Sequence, residues 1–119
     1  MAASGLPAMS ERPALDEMKR IRVSHPAERD LDDIWYYIVR ESGSIEIADR
    51  LIESIAEMFP LFAQAPEAGT RRDEIAPGLR GFPVRNYIIY YAETAQHVVI
   101  SRILHGMRDQ KSAYRKKAE

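Results

Sequence analysis

At 119 residues the chain is long enough for one hydrophobic core and too short for two. Its 17 Lys and Arg against 18 Asp and Glu leave a net charge of −1, so overall charge announces no nucleic-acid binder. No cysteine is present, which excludes a disulfide framework and thiolate chemistry and suits a reducing cytoplasm.

Charge is nevertheless unevenly divided. Residues 1–60 hold seven Lys and Arg against twelve Asp and Glu, a balance of −5, whereas residues 61–119 hold ten against six, or +4. No apolar run approaches the ~20 residues needed to cross a bilayer. The start also lacks the basic and apolar regions of a secretory signal. The expectation is a soluble cytoplasmic protein with no membrane partner.

Residues 1–17 show no sustained period and read as a flexible leader, with Met18 an alternative start. Residues 18–109 then form the domain, and residues 110–119 a basic C-terminal tail that predicts a short or frayed helix. Lys19-Arg20-Ile21-Arg22-Val23-Ser24 alternates basic and apolar, which predicts a strand with Ile21 and Val23 toward the core. Ser24 suits an N-cap and Pro26 a first helical turn. Ala27, Leu31, Ile34, Trp35 and Ile38 follow at helical spacing, predicting a helix over about 25–40 that stops near Ser42-Gly43. Ser44 caps a second stripe running from Ile45 through Leu51, Ile55 and Phe59 to Phe62, so two antiparallel helices form a hairpin. Pro60 lies inside that stripe, where it removes a hydrogen bond to the Ala56 carbonyl, so the helix should kink or end early.

Pro66-Glu67-Ala68-Gly69 is a turn, and Arg71-Arg72-Asp73-Glu74-Ile75 a short strand or extended segment before a Pro77-Gly78 turn. Two long runs complete the domain: residues 82–91, apolar and aromatic, and residues 98–104, β-branched. Both are apolar on both faces, which predicts central strands covered on at least part of the second face. The fold class is α+β, in the order β-α-α-β-β-β, with a helical hairpin packed on a mainly antiparallel sheet.

Gly78-Leu79-Arg80 before an apolar strand, a strand ending Ile89-Tyr90-Tyr91, and a last strand running into Leu104-His105-Gly106-x-Arg108-Asp109 together resemble the ParE branch of the RelE/ParE toxin superfamily. Ser24-x-x-Ala27-x-x-Asp30-Leu31-x-x-Ile34 and Pro66-x-x-Gly69 fall where that family has its first helix and inter-element turn. The resemblance covers about residues 20–110. It implies a toxin of a type II toxin–antitoxin, or plasmid stabilisation, module that inhibits DNA gyrase by trapping its cleaved-DNA complex. A ParD-like antitoxin would neutralise it by wrapping it with a C-terminal segment, in a hetero-oligomer. The leader and Pro60 depart from the family's pattern.

Arg80, Arg85, Arg102, His105 and Arg108 lie in or beside the last strands. In the ribosome-dependent RNase branch, cations on this sheet hold the scissile phosphate while an acid or base moves the proton. The alternative function is therefore a RelE-like messenger RNA endonuclease using Arg85, Arg102 and His105, with His105 as acid or base. The preferred reading pairs Arg85 and Arg102 with Asp or Glu across the sheet and lets His105 end a strand, because the Leu104-to-Asp109 ending resembles the branch without those RNase residues. No catalytic residue is then assigned. The target-binding candidates are Arg80, Arg85, His105, Arg108, Lys111, Arg115, Lys116 and Lys117, with direct nucleic-acid contact left open. The antitoxin-binding candidates are Trp35, Leu51, Ile55, Met58 and Phe59. Glu28, Asp30, Asp32 and Asp33 point around the first helix in different directions, which predicts a solvated face and no metal site. No cofactor is expected.

Overall fold

The computed structural model describes residues 19–116. Its elements are β1 (Arg20–Val23), α1 (His25–Ser42), α2 (Ile45–Ala56), α3 (Phe59–Gln64), a 3₁₀ turn (Pro66–Ala68), β2 (Thr70–Arg71), β3 (Leu79–Val84), β4 (Tyr87–Glu93), β5 (His97–His105) and α4 (Gln110–Arg115). The five strands lie in the order β1-β5-β4-β3-β2. β1 runs parallel to β5 and every other neighbouring pair is antiparallel. The α+β class, the helical hairpin and the mainly antiparallel sheet agree with the expectation.

The helix ends follow from local chemistry. Ser24 is extended and its hydroxyl accepts the Ala27 N–H at 3.2 Å while donating to the Ser101 carbonyl at 3.0 Å, so the cap also ties the helix start to β5. Gly43 ends α1 at φ 72°, in the left-handed region. Ser44 then accepts the Ile47 N–H to start α2. Pro60 divides the second apolar stripe: α2 stops at Ala56, and the proline occupies the first turn of α3, where a missing N–H is not felt.

Run 82–91, expected as one strand, is two. Val84 faces Tyr87 across a two-residue turn, Arg85-Asn86, in which Arg85 takes φ 56°. The segment 71–75 contributes only Arg71 to a strand and then turns.

Both faces of the sheet are covered. The helices pack Ile34, Ile55, Phe59 and Phe62 onto Ile89, Tyr91, Ile100 and Ile103, with the Phe62 and Tyr91 rings stacked at 4.1 Å. On the other face Leu79, Tyr90 and Leu104 lie under Ala113 and Tyr114 of α4. Consecutive residues of β4 point to opposite faces, so Tyr90 and Tyr91 send one ring to each, and a bulge opposite them leaves Ser101 of β5 unpaired, its hydroxyl donating to the Tyr90 carbonyl.

Tyr91 also reaches the turn before β2. Its hydroxyl donates to the Pro66 carbonyl and accepts the Gly69 N–H, both at 2.7 Å. A Cβ on Gly69 would stand 2.8 Å from that oxygen and 3.0 Å from the Gly81 carbonyl. Gly69→Ala is therefore expected to lower stability by about 1–3 kcal/mol in urea unfolding. A parent-like midpoint would show that the turn yields freely.

Candidate functional site

The basic residues of the last strands divide into two groups with different surroundings. Arg102 belongs to the interior: its side chain is only 9% exposed. Nε and Nη2 form a fork on Asp30, at 2.7 and 2.9 Å, and Asp30 also accepts the Ile103 N–H at 2.9 Å. Nη1 donates to the carbonyls of Ala113, Tyr114 and Lys116. The hydrogen bond to Asp30 outweighs burial and raises the guanidinium pKa above even its ordinary value. This pairing corrects the solvated reading of Asp30, which lies three residues after buried Ala27 and four before buried Ile34, on the inward stripe of α1.

Arg80 is half-buried and donates to the Gly69 carbonyl at 2.8 Å. Behind it, Arg72 pairs with Glu74 and sits over the Tyr90 ring, 5.8 Å from its centroid. The Tyr90 hydroxyl donates to Gln110, whose amide caps the His105 and Arg108 carbonyls. Residues 110–116 of the basic tail are thus bound to the sheet. Among them Lys111, Arg115 and Lys116 are exposed, and Lys117 lies outside the described residues.

The second group lines a cleft between the helical hairpin and the β3–β4 turn. Two adjoining hollows share Tyr37, Tyr87 and His105. The larger, about 580 Å³, adds Ile47, Arg50, Leu51 and Arg85; the smaller adds Asp33, Ile34, Ile103 and Arg108. Tyr87 and His105 are cross-strand partners with edge-on rings 5.2 Å apart. Burial pushes the Tyr87 phenol above its ordinary pKa, so near neutrality it is a neutral hydroxyl. Nδ1 of His105 accepts the Met107 N–H at 3.0 Å, which leaves the proton of the neutral ring on Nε2. Arg85 makes one long contact, 3.4 Å to the Ser54 hydroxyl.

Of the three residues proposed for catalysis, Arg85 and His105 therefore share a cleft, whereas Arg102 is held within the interior. Among the antitoxin candidates, Ile55 is fully buried and Phe59 is 8% exposed, both in the core. Their side chains support the fold and offer little surface to a partner. Leu51 and Met58 are half-buried, and Trp35 donates to Asp49 at 2.8 Å between α1 and α2. Arg50 escaped the sequence reading, since it lies on a helix and meets the β3–β4 turn only through tertiary packing. Among the described residues no three His, Cys, Asp or Glu side chains cluster to hold a metal, and no helix is long and apolar enough to cross a membrane.

A solved structure described as the chromosomal ParDE TA system from P. aeruginosa superposes with a TM-score of 0.66 at 23% identity, over 75% of this chain and 97% of that one. The family model for the ParE toxin of the type II toxin–antitoxin system, parDE, matches residues 21–110. Toxin ParE3 of Caulobacter vibrioides is 30% identical over 89 residues, 75% of this chain and 88% of the relative. Toxin ParE1 of the same organism is 32% identical over 90 residues, 74% and 90% of the two chains. The chain belongs to the ParE toxin family of type II toxin–antitoxin systems.

The His105 geometry gives a direct test. In a nitrogen-15 imidazole spectrum recorded above neutral pH, His105 is expected as the Nε2–H form. An Nδ1–H signal would contradict the Met107 bond.

Proposed function

We propose that this protein is the toxin of a two-component module, that a ParD-like antitoxin neutralises it in a hetero-oligomer, and that its target is DNA gyrase in the cytoplasm. Family membership across residues 21–110 carries this reading. The gyrase assignment is what the resemblance implies. It also suits a cleft in which the Nδ1 lone pair of His105 is already occupied by the Met107 N–H.

A partner finds apolar surface on the helical hairpin. Tyr36, Ile45 and Ile47 are 65%, 57% and 50% exposed. Leu51 lies four residues after Ile47 and shares its side of α2. An amphipathic antitoxin helix laid along that side would cover Ile47 and Leu51 by helix-in-groove packing.

The endonuclease alternative asks Arg85, Arg102 and His105 to act on one phosphate. Arg102 already has its fork on Asp30. The remaining lone pair of His105 is occupied by the Met107 N–H. A proton-transfer role would require both arrangements to be rebuilt.

The test is to assay the free toxin for gyrase supercoiling and cleavage-complex accumulation, and in parallel for cutting of ribosome-bound messenger. Supercoiling should fail while messenger stays intact. If messenger is cut, gyrase is unaffected and His105→Gln lowers cutting by roughly 10²- to 10⁴-fold, the usual worth of acid–base catalysis, the gyrase reading is overturned.

A further inference from the structure

We propose that the cleft around Tyr37, Tyr87 and His105 binds single-stranded nucleic acid, gripping phosphates with Arg50, Arg85 and Arg108 and stacking one unpaired base on Tyr37. Such binding does not require gyrase, so it is present or absent whichever way the supercoiling assay falls.

Cation partnering points to the ligand. Arg71, Arg72 and Arg102 each lie within ion-pair distance of a carboxylate. Among the described residues several surface cations have no such partner, and three of them, Arg50, Arg85 and Arg108, are gathered on the same double hollow. Two carboxylates line it as well. Asp30 is neutralised by Arg102, and Asp33 alone opposes three guanidinium groups. His105 adds a neutral Nε2–H donor, because its Nδ1 is occupied. An anion with several oxygens is the complement of this set, and arginine forks fit phosphate oxygens in pairs.

The rest of the lining selects the kind of anion. Tyr37 exposes 57% of its surface, while Tyr87 is buried beneath it at the base of the cleft. Ile38, Ile47 and Leu51 supply an apolar wall. Free phosphate would leave these rings and side chains unused, whereas a nucleotide brings a flat base to stack on an aromatic face beside its charge. The volume of about 580 Å³ suits one or two nucleotides entering from outside. A stacked duplex cannot place a base there without unpairing it.

Anisotropy with labelled short oligothymidine, oligouridine and a matched duplex tests this on the free full-length toxin. Single strands should bind saturably, and comparison of the thymidine and uridine arms identifies the preferred polymer. With about three phosphate contacts, affinity should fall roughly 20-fold between about 50 and 200 mM salt. Arg85→Gln should weaken binding and reduce the log–log salt slope by about 0.7. Tyr37→Ala should weaken binding about tenfold at an unchanged slope, since stacking carries no counterion. Arg71→Gln, on the far edge of the sheet, should change neither. Both tested side chains are exposed, and thermal melts confirm that each variant remains folded. Absence of saturable binding, indifference to Arg85→Gln and Tyr37→Ala, or equal affinity for the duplex would each overturn the proposal.

Discussion

The structure depends on one buried ion pair. Asp30 and Arg102 are separated by 72 residues, and each side chain is 9% exposed. Taking two charges from water costs several kcal/mol per ion, and the cost is offset only when geometry and remaining hydrogen bonds are complete. Here they are nearly so. Asp30 accepts two guanidinium donors and a backbone N–H, while Arg102 also reaches three carbonyls at the end of α4. A single guanidinium thus joins α1, β5 and α4. The covering of the second sheet face by Ala113 and Tyr114 depends on that junction.

Its position separates the basic residues by role. Arg102 lies inside, where charge is consumed by structure. His105 follows three residues later at the strand end, and Arg85 and Arg108 lie beside it in the cleft. The β3–β4 turn presents Arg85 at φ 56°, an uncommon backbone for a side chain of this size. Proximity of that turn to α2 brings Arg85 and Arg50 to one hollow. The polar surface and the apolar hairpin surface meet at Ile47 and Leu51, so a partner covering the hairpin would also reach the cleft.

Much of the fold was legible in the sequence because its local signals agree. Ser24 and Ser44 cap as expected, Gly43 ends α1, and Pro60 breaks the second stripe. The turn at Arg85-Asn86 was hidden because it contains no glycine and apolar residues continue on both sides. Asp30 was masked by Glu28, Asp32 and Asp33, although its spacing from Ala27 and Ile34 put it on the inward stripe. In the tail, basic composition concealed that Gln110, Ala113 and Tyr114 face the sheet. The grouping of Arg85, His105 and Arg108 could be suspected from the chain. Placing Tyr37 beside them, and finding Arg50 at all, required the tertiary contact between helices and strands.

Arg102 serves the structure, whereas the proposed ligand contacts belong to the cleft. Urea unfolding of Asp30→Leu, Arg102→Met and the double variant tests that assignment most directly. Each single change leaves one charge buried without its partner and should cost about 3–5 kcal/mol, whereas the double change should recover most of the loss. Parent-like stability in Arg102→Met, accompanied by loss of toxicity, would contradict the account and return Arg102 to the functional site.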